Sequence, residues 1–135
     1  MTSAKASATN GSPFLLVVTP SALTAVELVR ALSKFKEYGT VAKLFARHIK
    51  VEEQIRVLRS QRVLIGVGTP NRLLKLVQEG ALQLDRVEGL ILDAGKDKSN
   101  RSFFDLKEIR TDFFEFFERF CLPFVKSARM KITFY

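Results

Sequence analysis

Cysteine and histidine are nearly missing from this sequence, which has one of each in 135 residues. A lone Cys121 cannot close an internal disulfide, and one Cys with one His cannot build a structural zinc site. An intracellular, reducing compartment is expected, with no bound metal. Long apolar runs are missing as well. None approaches the roughly 18 residues needed to span a bilayer, and Phe14–Val18 is too short and too soon broken by Pro20 to serve as a signal core. The sequence also holds no Gly-x-x-x-x-Gly-Lys-Ser/Thr, the loop that cradles a nucleoside triphosphate.

What is present is basic charge, unevenly placed. The net charge of +8 lies wholly between Arg30 and Lys75, where eleven Lys or Arg face only Glu37, Glu52 and Glu53. Elsewhere basic and acidic residues cancel. Such a run often marks no more than a solvated face, but one concentrated beside an anion-shaped loop favours a polyanionic partner. A length of 135 residues corresponds to one domain, able to bury about two-thirds of its unfolded surface.

The anion-shaped loop lies in Val63-Leu64-Ile65-Gly66-Val67-Gly68-Thr69-Pro70-Asn71-Arg72-Leu73, a buried strand running into a helix. Gly68 is expected to free the backbone at the turn, Thr69 to cap the helix, and Pro70 to occupy the first helical position. The N–H groups of Asn71 and Arg72, beside the Arg72 guanidinium, would then suit a phosphate. The same residues would also serve as a capped helix start with no ligand. An upstream echo favours the phosphate: Phe14–Val18 reads as a strand, and Thr19-Pro20-Ser21 repeats the device before a helix running to about Lys34, with Ala22, Ala25, Val26, Val29 and Leu32 as its buried stripe.

Residues 1–12, rich in Ser, Ala, Thr, Asn and Gly, are expected to be a disordered lead to a single domain over 13–135. Thr40 to Phe45 reads as a second strand ending at Ala46-Arg47-His48, with His48 a loop residue rather than a catalytic base. A helix from Lys50 to Arg59 turns Val51, Ile55 and Leu58 inward and carries a basic ridge of Lys50, Arg56, Arg59 and Arg62. The helix after Thr69 should end at Gly80, which suits the left-handed position beyond a helix. Val87 to Asp93 reads as a fourth strand and Ala94 to Ser102 as a polar loop. A Phe-rich helix spans Asp105 to about Phe120, with a stripe of Leu106, Ile109, Phe113, Phe116, Phe117 and Phe120, and Arg129 to Tyr135 reads as a fifth strand. Phe114 falls about 100° from Phe113 and outside that stripe, so it should be partly exposed.

Strands alternating with helices predict an α/β fold with a parallel sheet. Thr19–Ser21, Arg47–His48, Gly68–Arg72 and Asp93–Lys96 then leave the carboxyl ends of strands, the edge where open α/β sheets bind ligands. The residues expected to contact an RNA phosphate backbone are Thr19, Ser21, Gly68, Thr69, Asn71 and Arg72, supported by Arg47, Lys50, Arg56 and Arg59.

These segments resemble the first RecA-like domain of DEAD-box RNA helicases. Thr19-Pro20-Ser21 with Ala-Val-Glu-Leu resembles that family's Pro-Thr-Arg-Glu-Leu, Gly68-Thr69-Pro70-Asn71-Arg72 its Thr-Pro-Gly-Arg, and Leu90-Ile91-Leu92-Asp93 the strand into Asp-Glu-Ala-Asp. The resemblance implies a RecA-like, three-layer domain with a mostly parallel five-stranded sheet, and RNA contacts at the first two segments. The parts that serve ATP depart from the pattern: Asp93-Ala94-Gly95-Lys96 puts an alanine where the water-orienting carboxylate belongs, and Ile132-Thr133-Phe134 lacks Ser-Ala-Thr. Only thirteen residues precede the first strand, too few for a phosphate-loop strand and helix. No enzymatic activity and no cofactor are expected.

More closely, Lys43-Leu44-Phe45-Ala46-Arg47-His48-Ile49-Lys50-Val51, Gly66-Val67-Gly68-Thr69-Pro70 and Glu108-Ile109-Arg110 resemble the Cms family, helicase-like subunits of the 90S pre-ribosomal particle. That resemblance, and not composition, implies a nuclear, nucleolar role in small-subunit ribosome assembly, with pre-rRNA or snoRNA and 90S proteins as partners. A protein-docking module that never touches RNA is the alternative, supported by Phe103, Phe104, Phe113, Phe114, Phe116, Phe117, Phe120 and Phe124.

Overall fold

Five parallel strands lie in the order β2-β3-β1-β4-β5 in a computed structural model that describes residues 10–95 and 105–134. Each strand is a short β-branched or leucine-rich run: β1 Leu15–Val18, β2 Thr40–Leu44, β3 Val63–Gly68, β4 Gly89–Leu92 and β5 Lys131–Phe134. The crossovers are α1 Ala22–Ala31, α2 Val51–Ser60, α3 Pro70–Gln78 and a long composite helix before β5. Alternation along β1 divides the core. Leu16 and Val18 face a large cluster built with α2, α3 and the composite helix, while Val17 faces a smaller one with Ala25 and Val29 of α1. This is an α/β domain with a parallel sheet and helices on both faces, as the strand–helix alternation predicts.

Four local features differ from the sequence reading. Residues 10–12, assigned to the lead, are fastened to the domain: Gly11 N–H donates to Gln61 O at 3.0 Å, and Ser12 Oγ accepts from Arg86 N–H at 2.9 Å. Gly11 takes φ +76°, and a side chain there would press on the carbonyls of Ala81 and Leu58. The second difference is that α1 ends at Ala31 and continues as a 3-10 helix, Leu32–Tyr38, up to Gly39. Third, Ala81, Leu82, Leu84 and Val87 are buried without belonging to any helix or strand. Sequence periodicity has no purchase on such a segment. It enters the core because Gly80, at φ +76°, turns the chain after α3, as expected.

The fourth difference is the Phe-rich helix, which passes Phe120. It runs as α4 Lys107–Phe116, a π-helical turn Phe117–Cys121, and α5 Leu122–Lys126. Pro123 explains the π turn. It has no N–H to donate, and in a regular helix its ring would crowd the carbonyl of Arg119. Widening one turn, with Leu122 N–H reaching back to Phe117 O, absorbs it. Phe113 and Phe116 are buried, while Phe117 and Phe120 pack half-buried on the same core. Cys121 is buried there too, and desolvation pushes its thiol up to about 12, so it stays protonated at physiological pH. Phe103, Phe104, Lys96 and Tyr135 lie outside the described residues.

Phe114 is 41% exposed, as its angle on the helix predicts, and meets Phe113 edge-on at 5.4 Å. Phe114→Ala should therefore lower unfolding free energy by only about 1 kcal/mol, mostly that ring contact. Urea unfolding checks this, and a loss near 3 kcal/mol would mean the side chain belongs to the core.

Candidate nucleic-acid interface

Strand register decides what the carboxyl edge can assemble. Leu44, Gly68, Val18, Leu92 and Phe134 are successive partners across the sheet, so all five strands end in one row. The ladder continues one residue further: Thr19 N–H donates to Gly68 O at 2.9 Å, Thr69 N–H to Leu44 O at 3.3 Å, and Asp93 N–H to Val18 O at 2.9 Å. The loops that follow are thereby fixed side by side.

The two Thr-Pro turns are not copies of one device. In the second, Thr69 occupies the N-cap position and Pro70 the first turn, but the Thr69 side chain makes no capping hydrogen bond. The Asn71 and Arg72 N–H groups head α3, because Leu73 is the first to bond back, to Thr69 O at 3.0 Å. In the first, the cap is Ser21, whose Oγ accepts from Thr24 N–H at 3.2 Å. Thr19 is fully buried and its hydroxyl donates to Ser21 O at 3.0 Å. It braces the turn and offers no surface to a ligand. Gly68 is likewise buried, and it is not left-handed as a flexible turn would require. A Cβ there would run into the Leu44 carbonyl oxygen and stand 2.7 Å from Leu73 Cδ2. Close approach of β2 and α3, not backbone freedom, demands glycine.

Arg72 is partly committed inside the protein. Its Nη1 donates to Ile49 O at 2.8 Å and to Gln54 Oε1 at 2.6 Å. Desolvation lowers its pKa and the nearby Glu52 carboxylate opposes that shift; the guanidinium remains charged at any physiological pH. Gln54 is the residue that sequence reading missed. It is buried, and its Nε2 donates to Lys43 O and Phe45 O, both at 2.8 Å. It ties edge strand β2, helix α2 and Arg72 together, and it closes two carbonyls that an edge strand would otherwise present to other chains. A signal was available: in the stripe Val51, Ile55, Leu58, the i+3 position is a glutamine, polar where an apolar residue belongs.

Arg47, Lys50, Ser21 and Asn71 are exposed at this edge. His48 takes φ +59° in the exposed turn after β2, a left-handed position histidine adopts more readily than most residues, which agrees with a loop role. Arg56 and Arg59 do not join them as one ridge. Steps of three residues turn by about 300°, so Lys50, Arg56 and Arg59 wind around α2 instead of sharing a face. Arg59 reaches the opposite edge of the sheet, where its Nη2 lies 3.4 Å from Glu79 O and its carbonyl accepts from Asn10 Nδ2 at 3.0 Å. Asp93 is half-buried and accepts from Gly95 N–H at 3.2 Å, with Ala94 between them. Among the described residues no group of His, Cys, Asp and Glu could hold a metal ion, and no helix is long and apolar enough to cross a membrane.

Parallel strand order and the row of strand-end loops define an open α/β domain, and comparison places its fold with the RecA-like domains of DEAD-box proteins. A solved DEAD-box protein from Methanococcus jannaschii superimposes with a TM-score of 0.65 at 19% identity, covering 93% of this chain and 31% of that one, which supports the fold alone. The ATP-dependent RNA helicase DeaD of Buchnera aphidicola is 35% identical over 97 residues, 70% of this chain and 16% of the helicase. Within that class the chain belongs to the CMS1 family, described as the U3-containing 90S pre-ribosomal complex subunit, whose model matches residues 2–135. Human Protein CMSS1 is 39% identical over 122 residues, 90% of this chain and 44% of that protein. Protein CMS1 of Chaetomium thermophilum is 45% identical over 101 residues, 73% of this chain and 40% of that protein. The chain thus spans less than half the length of these relatives.

Proposed function

We propose that this chain is a non-catalytic, RNA-binding RecA-like domain that acts in small-subunit ribosome biogenesis, in the nucleolus, as part of a 90S pre-ribosomal assembly. Family membership supports the process. The observation that carries the RNA reading is the row of strand ends, which brings Ser21, Arg47, Lys50, Asn71 and Arg72 to one edge. Hydroxyl, amide, helix N–H and cationic groups of this kind hold phosphates and sugars without reading bases. Thr19, Thr69 and Gly68 contribute by fixing the backbone of that edge. Arg59 has no part in the site, and Arg56 at most lengthens its positive field. The non-catalytic reading rests on this sequence's lack of a phosphate-loop motif and on Ala94 in place of a carboxylate.

Binding of the chain to oligouridine should weaken with salt, with a slope in log–log form of about −0.7 per phosphate contact. Arg47→Ala and Lys50→Ala should each reduce that slope by about 0.7 and weaken all single-stranded RNAs alike, while Arg59→Ala should leave the slope unchanged. Arg72→Ala is read only after a stability measurement, because the side chain also holds Gln54 and the Ile49 carbonyl. An isothermal titration with ATP accompanies the series. Absence of RNA binding at low salt, an equal effect of Arg59→Ala, or saturable ATP binding at micromolar concentration would each overturn the corresponding part of the proposal.

A further inference from the structure

A cleft of about 530 Å³ opens between α1, the 3-10 helix that follows it, and edge strand β2. Its floor is apolar: Val29 and Phe45 are buried, and Val26 and Ile49 lie half-buried beside them. Val26, Val29, Arg30 and Ser33 follow the i, i+3, i+4, i+7 spacing of one helical face. The change to a 3-10 helix after Ala31 keeps Lys36 in line with Ser33, because side chains three apart eclipse in that helix. The same change carries Phe35 and Tyr38 onto another line, where their rings lie 6.5 Å apart. Lys43 of β2 and Arg47 of the following turn complete the rim.

Four cations, Arg30, Lys36, Lys43 and Arg47, therefore surround an apolar floor, and no Asp or Glu lines the cleft. Among the described residues none of the four is in a salt bridge. Like charges held around a concave, low-dielectric wall focus a positive potential. We propose that this cleft docks an acidic segment of a partner protein, with one apolar anchor side chain on the Val29–Phe45 floor and flanking carboxylates on Arg30, Lys36 and Arg47. The site is distinct from the RNA edge, with which it shares only Arg47. Charge complementarity requires an anionic occupant, and the floor selects protein over RNA. Unstacked bases are held chiefly on open aromatic faces. Two ring side chains line the cleft: Phe45 is 2% exposed and closed to stacking, and His48 is exposed in the turn beside Arg47 and is not part of the buried floor; Phe35 and Tyr38 do not line it.

The test uses the whole chain, labelled with ¹⁵N, and capped peptides with a central Leu, Phe or Ser flanked on both sides by Asp and Glu. Octauridine is the competing probe. The Leu- or Phe-centred peptide should shift the amides of Ser33, Lys43 and Ile49 saturably, and the Ser-centred one should bind several-fold more weakly. Arg30→Glu with Lys36→Glu should weaken the best peptide roughly tenfold or more, while changing octauridine affinity by no more than about threefold at physiological salt. Lys50→Ala should do the reverse. The proposal is overturned if no peptide binds saturably, if the Ser-centred peptide binds as well as the others, or if octauridine shifts the cleft amides and the peptides do not.

Discussion

Gly68→Ala should destabilise the domain by about 3 kcal/mol or more, or prevent folding, although the change adds one methyl group. The new Cβ would collide with the Leu44 backbone oxygen and approach Leu73 Cδ2 to 2.7 Å and Leu44 Cβ to 2.9 Å. A backbone oxygen cannot swing aside as a side chain can, and this one already accepts from Thr69 N–H in the ladder between β2 and β3. The strain therefore spreads through β2, β3 and the start of α3. Gly80→Ala is the comparison. Nothing lies within 4 Å of a Cβ there, and only the left-handed φ of +76° opposes it, a penalty of about 1–2 kcal/mol. Urea unfolding of both variants separates packing from conformation. If Gly68→Ala proves the milder of the two, the close approach of β2 to β3 is not what glycine serves.

Gln54→Ala should lower stability by about 3 kcal/mol, since it takes the donor from the buried Phe45 carbonyl and the partly buried Lys43 carbonyl and removes an acceptor from a charged guanidinium. For a domain of this size that corresponds to a fall in Tm of roughly 10 °C. Gln54→Glu should be no better, because it places an acceptor against the carbonyls of Lys43 and Phe45. Gln54→Ala frees Arg72 from one of its two acceptors, so its RNA affinity measured well below the new Tm should hold or rise while stability falls, whereas the Gln54→Glu carboxylate would hold the guanidinium more tightly and should not raise it. A loss below about 1 kcal/mol would show that the edge of β2 does not depend on this side chain.

These two residues mark the boundary between what the sequence carries and what it does not. The strands were legible because each is a short, continuous apolar run between turn residues, and the helices because their apolar positions recur at helical spacing. Phe114 was legible for the same reason, as angle along a helix is a local property. The two Thr-Pro turns looked alike because a motif read in one dimension cannot tell a buried threonine from one at a helix cap. The segment from Ala81 to Leu84 has no period to read, yet it buries three side chains, and Val87, expected in the fourth strand, is buried just before β4 begins at Gly89. The path beyond Phe120 was hidden because a proline usually ends a helix, and only packing of Phe116, Phe117 and Phe120 on the core favoured a π turn instead.

The sequence by itself determined the class of fold, the placement of positive charge in its middle third and the family, since all three rest on local residue order and spacing. Only the tertiary structure decided which candidate residues are available to a ligand. Burial is set by what the rest of the chain lays over a residue: it removed Thr19 and Gly68 from the surface, carried Arg59 to the far edge of the sheet, and engaged Arg72 with Gln54 across 18 residues of chain.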